Sequence, residues 1–279
     1  MQLLGTISEP ILRLSVFAAA FIVMALLELA LPKRRLTVSK PRRWATNLTI
    51  VGLDSLLVRA MDLVPRLLGG VVMPLAAVAT AIWAEGHGIG LLNWLGWPAW
   101  LEILIALVVL DFAIWLQHLA AHKIAPLWAF HQVHHADRDI DVSTAIRFHP
   151  VEIGLSMLYK MVWVVVLGPA AVAVVLFEVI LNACAMFNHA NVALPPGLDR
   201  VLRAVLVTPD MHRVHHSVVH REHDSNYGFN LSIWDRMFGT YVAQPEHGHD
   251  GMTIGLAPYQ TEAPTTLRWC LALPFSRRD

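Results

Sequence analysis

Apolar positions in this chain come in long, nearly unbroken blocks. They show neither the alternation of a half-buried strand nor the narrow stripe of a soluble helix. Residues 11–31 (ILRLSVFAAAFIVMALLELAL) form the first block, with Arg13 and Glu28 near its ends. A spanning helix needs about 20 such residues. MQLLGTISEP before it has no basic segment, and no small-residue cleavage site follows, so the block reads as a retained anchor rather than a signal peptide. Residues 98–117 (PAWLEILIALVVLDFAIWLQ) form a clearer span. Residues 153–188 are apolar but broken by Gly168-Pro169, which predicts two shorter helices in a hairpin. Residues 46–84 are interrupted by Asp54, Arg59, Asp62, Arg66 and Gly69-Gly70, and read as one crossing plus an interfacial or re-entrant piece. After 190 the chain turns polar, and from 242 it is a tail with Gly, Pro and charge ending in Arg277, Arg278 and Asp279. There is no internal repeat and no low-complexity run.

The loop KRRLTVSKPRR at 33–43 holds six basic residues and no acid, which reads as the cytoplasmic side of the first span. An odd number of crossings between 46 and 98, then the crossing at 98–117, brings residue 118 back to that side. The hairpin then returns residue 189 to it as well. Composition agrees with a membrane protein: 56% of residues are hydrophobic, 15% are charged, and mean hydropathy is +0.53. A soluble domain carries about 25% charge. The 21 basic and 21 acidic residues cancel, so charge gives no reason to expect nucleic acid. Cys184 and Cys270 are too few for a disulfide framework or a four-thiolate metal site, and Cys184 reads as a small buried hydrophobe.

Histidine is the exception to this bland picture. Ten of the 15 histidines fall in 118–135 and 212–223. His118 and His122 are four apart, one turn along a helical face. His131-Gln-Val-His134-His135 and His212-Arg-Val-His215-His216 repeat the pattern H-x-x-H-H, which composition predicts only about 0.04 times by chance. Thr208-Pro209-Asp210 predicts a helix start, with Thr208 as cap and Pro209 in the first position. Neutral imidazole suits zinc, copper, iron and nickel. One ion takes three or four protein ligands, so these eight histidines suit two ions. His189 leaves the hairpin on the same side and is a candidate ninth ligand, with Glu178 and Asn182 on its face. Asp111 lies on the stripe Asp111, Trp115, His118, His122, where it would either orient an imidazole or hydrogen-bond between helices. His149 is isolated in sequence and its role is open. His220 and His223, four and seven residues after His216, are candidates either for ligands or, preferably, for a supporting or surface role, while His87, His247 and His249 sit in polar loops and read as solvated.

H-x3-H at 118–122 followed by H-x2-H-H at 131–135 and at 212–216 resembles the fatty acid hydroxylase superfamily, also called sterol desaturases. The words Arg147-Phe148-His149-Pro150-Val151-Glu152, Asn188-His189-Ala190-Asn191 and Met211 through Asn226-Tyr227-Gly228 to Trp234-Asp235-Arg236-Met237-Phe238-Gly239-Thr240 carry the same resemblance, over roughly residues 100–241. It implies an integral-membrane oxygenase with two iron ions (Fe2+) that uses O2 to hydroxylate or desaturate a lipid at a C–H bond. The eight motif histidines and His189 are then the metal ligands. His149 and Asn191, with Asp111, are candidates to support them. Positions 185 and 193, four residues on either side of His189, are both Ala, where some hydroxylases have a second histidine; one iron would complete its shell with water. Two of the four electrons per O2 come from outside. The chain shows no cytochrome b5 signature, Rossmann fingerprint or four-cysteine cluster, which implies a ferredoxin- or cytochrome b5-like donor with its reductase. The lipid would enter laterally from the bilayer.

Two other readings compete. A membrane zinc hydrolase would want the glutamate of H-E-x-x-H, which His118-Leu-Ala-Ala-His122 lacks. A non-enzymatic metal-binding or transport protein would place ligands near the bilayer midplane, whereas these lie at or beyond helix ends. The expected architecture is all-α, with about four to five membrane helices under a cytoplasmic helical cap holding a histidine-rich dimetal site. Its parts are an N-terminal membrane region at 1–97, a catalytic domain at 98–241 and a polar tail at 242–279.

Overall fold

The computed structural model describes residues 9–67 and 76–276. Gly69-Gly70 and the terminal Arg277, Arg278 and Asp279 lie outside the described residues. Among those described there is no β-strand, only isolated bridges, and the helices are α1 (Glu9–Ala30), α2 (Lys40–Leu67), α3 (Ala77–Gly86), α4 (Leu91–Leu95), α5 (Ala99–Lys123), α6 (Ala125–His135), α7 (Pro150–Leu167) and α8 (Ala171–His189). Shorter helices follow: α9 (Pro196–Arg203), α10 (Pro209–His215), α11 (His220–His223), α12 (Ile233–Met237), α13 (Gly248–Gly251) and α14 (Leu267–Ala272). Pro10–Ala30 and the whole of α5, α7 and α8 are long and apolar enough to cross a membrane. Leu14, Leu26, Leu29, Leu104, Val162 and Val166 on these helices are exposed, as a lipid-facing surface requires.

α1 packs on α8, α5 packs on α8 and α7, and α2 packs on α7. The C-terminal ends of α1, α5 and α8 and the start of α7 gather at one end of this bundle. There the backbone of Lys33 donates to Asn191 and that of Ala193 donates to Leu31. The opposite end is fixed by glycine. Gly168 closes α7 in the left-handed region, and a side chain on Gly90 would lie 2.3 Å from the Gly168 backbone, so only glycine permits the link before α4 to sit against the α7–α8 turn. α2 therefore runs the length of the bundle once, and α3 and α4 complete its far end. This arrangement puts the basic loop at the same end of the bundle as residues 118 and 189.

That loop is more than a solvated flank. Arg34 donates to the carbonyls of His249 and Met252, Lys33 bonds Asp210, and Lys40 approaches Glu28. Arg43 is fully buried and forks onto Asp137 at 2.6 and 2.8 Å, with a further bond to Asp141 at 2.7 Å. Four of the six basic residues are thus committed to protein partners. The segment after 242 is likewise not a loose polar tail. Cys270 and Leu273 share an apolar cluster with Ile50, Val133 and Ala136, and Arg147 donates to the Pro264 carbonyl. His249 departs from the solvated reading too: its side chain is largely buried near Asp210, and burial pushes it down to about 4.

The turn at 225–240 shows why its residue types matter. Asn226 adopts φ 50°, a left-handed conformation that Asn tolerates, and its side chain bonds Met211 and Val242 backbone atoms. Asp235 accepts from the Tyr227 and Gly228 amides, Trp115 and Thr240. A methyl group on Gly228 would come within 2.9 Å of the Leu231 carbonyl and 2.8 Å of Val207. Gly228→Ala is expected to destabilise the protein by about 1–3 kcal/mol, the usual range for overpacking, measurable as an earlier thermal transition in detergent.

Candidate metal centre

Nine histidines converge at the end of the bundle where α5 and α8 finish. The break at Ile124, followed by Pro126 in the first turn of α6, folds α6 back along α5. Residues thirteen apart then form two rungs: Nε2 of His118 lies 3.1 Å from Nε2 of His131, and His122 and His135 repeat this at 3.1 Å. α5 extends past the expected 98–117 span to Lys123, which is why both its histidines sit on one continuous helix. Thr208 caps α10, accepting from the Met211 amide, and Pro209 occupies its first position as expected.

The two H-x-x-H-H segments divide their ligands in a way the expected single face does not capture. His118, His122, His131, His135 and His215 form one group, and His134, His189, His212 and His216 form another; within each, the nitrogens that could ligate an ion lie within 4.8 Å of one another. In α6 the first and last histidines of the motif join the first group and the middle one joins the second. In α10 the assignment is reversed. Helical geometry explains this: residues i and i+4 differ by about 40° around the axis, while i+3 falls about 60° to the other side. Two such helices facing each other each give two imidazoles to one group and one to its neighbour. The groups share a wall, with the rings of His135 and His216 stacked at 4.7 Å.

Hydrogen bonds at the other ring nitrogen set the chemistry. Nδ1 of His118 faces the Tyr227 carbonyl at 2.8 Å, that of His131 the Glu152 carboxylate at 2.6 Å, and that of His134 the Arg147 carbonyl at 3.3 Å. Nδ1 of His189 faces the Ala185 carbonyl at 2.7 Å, and that of His215 the Ser225 carbonyl at 2.6 Å. These partners only accept, so each Nδ1 carries the proton and each Nε2 presents a lone pair. Consequently His118 and His131 point lone pairs at each other across 3.1 Å in the first group, and His134 and His189 do the same across 3.1 Å in the second. Such contacts are repulsive unless a cation lies between them. Protons are poor candidates, because burial and neighbouring imidazoles push His134, His135, His212, His215 and His216 well below the ordinary histidine range. Each of these groups of neutral, preoriented imidazoles is a donor set that could hold a metal ion.

Other residues take clear places. Asp111 accepts from Trp234 Nε1 at 2.8 Å and from the Leu231 amide, tying α5 to the 230s turn and bonding no clustered histidine. His149 caps α7 by accepting from the Val151 amide, and its other nitrogen faces the Leu271 carbonyl. Asn191 clasps the Arg34 backbone from both its amide atoms, next to His189. His223 stacks on Trp128 beside His122 and His135, with His220 against its outer side. Sequence reasoning missed Glu152 as the partner of His131. The available signal was an acid in the first turn of a helix that opens beside the motif, three residues after His149. Glu152→Gln is expected to lower metal affinity about 10–100-fold, the usual loss when an outer hydrogen-bond partner is removed; chelator competition on the purified protein measures this.

The fatty acid hydroxylase family model matches residues 103–240, the interval that contains all nine histidines. An ornithine lipid hydroxylase of Rhizobium tropici is 30% identical over 149 residues, covering 53% of this chain and 44% of that protein. Alkylglycerol monooxygenase of Homo sapiens is 34% identical over 149 residues, covering 53% of this chain and 32% of that protein. A cholesterol 25-hydroxylase-like protein of Danio rerio is 27% identical over 141 residues, covering 50% and 55%. The chain spans less than half the length of the first two. No solved structure matches. The shared segment coincides with the histidine-bearing helices, and on that ground the chain belongs to the fatty acid hydroxylase superfamily.

Proposed function

We propose that this chain is a membrane-bound di-iron oxygenase that uses O2 to hydroxylate or desaturate a C–H bond of a lipid. The observation that carries this reading is the pair of abutting imidazole groups, five and four strong, with lone pairs already aimed at common points. Iron bound there would supply the activation of O2 needed to oxidise an unreactive alkyl carbon. His118, His122, His131, His135 and His215 would hold one ion, and His134, His189, His212 and His216 the other. Five imidazoles exceed the four ligands of ordinary zinc sites, which argues against the hydrolase.

The protein's own contribution is orientation and exclusion of water. Carbonyls of Tyr227, Arg147, Ala185 and Ser225 and the Glu152 carboxylate hold the Nδ1 protons, so the rings cannot turn. His118 and His131 also line a cavity of about 560 Å³ between α1, α2, α5, α7 and α8, which gives a lipid access to the histidines from within the bundle. Electrons would come from a separate ferredoxin- or cytochrome b5-like donor with its reductase. The histidine end shares its side with the basic loop, which supports a cytoplasmic metal site. Reconstituted protein supplied with a reducing partner, isotopically labelled O2 and a bacterial lipid extract tests this. A lipid that gains one labelled oxygen, or loses two hydrogens, is the expected product. Metal-loaded protein that hydrolyses lipid without consuming O2 would overturn the reading.

A further inference from the structure

The same cavity has a second end that the metal reading leaves unused. Along α7 its wall runs from Glu152 to Lys160, eight residues or about 12 Å of helix. Glu152 and Asp54, near enough to repel each other, lie toward the histidines. The middle is apolar, with Val58, Ile114, Met157 and Leu181. The far end is charged: Arg13, Arg59, Lys160 and Glu178 all line it, three cations and one carboxylate among the described residues. Lys160 and Arg13 share Glu178, with Lys160 Nζ 2.7 Å from its Oε1. Glu178 is buried and Lys160 half-buried within candidate spans, and Arg13 lies near the start of another. Ionisable groups in a spanning segment are costly and usually mark a substrate path. One carboxylate leaves two of the three ammonium protons of Lys160 to be satisfied from the cavity.

Resting on the oxygenase reading for the role of the other end, we propose that Arg13, Arg59 and Lys160 form a subsite for the anionic head of a lipid, a carboxylate or a phosphate. The alkyl chain then lies along the apolar middle, and a carbon well inside the chain, rather than one beside the head, reaches His118 and His131. A neutral sterol or hydrocarbon would leave the two remaining ammonium protons of Lys160 facing an apolar ligand, at a desolvation cost that an anion removes.

Binding in phosphatidylcholine nanodiscs tests this, with radiolabelled palmitate, hexadecyl phosphate and hexadecanol as probes and metal content measured on the same samples. The wild-type protein is expected to hold at least one of the two anionic probes about tenfold or more tighter than hexadecanol, as a charge-assisted hydrogen bond gives. Whether palmitate or hexadecyl phosphate leads identifies the anion. Lys160→Gln and, at an exposed position where folding is not at stake, Arg59→Gln should each shrink that preference several-fold, while Lys160→Arg keeps it. Equal binding of hexadecanol by wild type, or a preference untouched in both Gln variants, would overturn the proposal. Protein without metal that still prefers an anion keeps the subsite and removes only the oxygenase reading. Metal-loaded protein with no preference does the reverse.

Discussion

Replacing His134 by Ala is expected to remove more metal than replacing its neighbour His135, although both side chains leave the same turn of α6. His134 belongs to the group of four and His135 to the group of five. The first change leaves three imidazoles at one position, and the second leaves four. His134 also stacks on Phe148 with ring centroids 4.4 Å apart, and its Nε2 faces that of His189, so its loss opens a gap that no nearby imidazole fills. Both variants should lose activity by more than the 10–100-fold typical of removing an outer partner. Metal analysis of the two purified variants should show His134→Ala with clearly less bound metal per chain than His135→Ala. The reverse order, or complete loss in both, would mean that the nine histidines do not divide five and four.

Arg43→Ala should be among the most destabilising single changes in the molecule. Its guanidinium is fully buried between Asp137 and Asp141 and also donates to the Asp139 carbonyl at 2.7 Å. Burial raises the Asp137 carboxyl, and the Arg43 guanidinium more than offsets this, holding it below the usual carboxylate range. Removing Arg43 takes the ion-pair partner from two buried carboxylates, for an expected cost of about 3–5 kcal/mol. The damage should reach the metal centre, because Asp137 follows His135 by two residues and the next loop leads to Arg147, whose carbonyl holds His134. Arg43→Lys should rescue little, since an ammonium cannot reproduce the fork on Asp137. Thermal unfolding in detergent, followed with and without added iron, reads both effects. A melt equal to wild type would show that the 136–147 loop does not depend on α2.

The sequence made some of this legible and hid the rest for physical reasons. The four spans follow from apolar blocks of sufficient length, and the α7–α8 turn follows from Gly168-Pro169. Eight of the nine histidines that converge were visible as spacing, because an i, i+4 pair on a helix needs no tertiary information; His189 was legible only from its place at the end of the hairpin. Their division between two groups was not visible. It depends on α6 and α10 facing each other, residues that lie some 80 positions apart. Glu152 was hidden for the same reason, being 21 residues from the imidazole it holds. α2 defied hydropathy because its polar residues are matched by distant partners: Arg43 by Asp137 and Asp141, and Asn47 by Ser143 and Arg147. The tail after 242 looked polar because its apolar residues are scattered among Gly, Pro and charge, and Leu256, Cys270 and Leu273 pack against Ile50 of α2 and Val133 of α6 rather than forming a core of their own.

The central claim, that two groups of imidazoles hold two irons, is tested most directly by the metal content of the wild-type protein. The measurement is mass spectrometry on detergent-purified protein expressed with ample iron. Close to two irons per chain is the predicted result. One zinc per chain, or no stoichiometric metal, would contradict it.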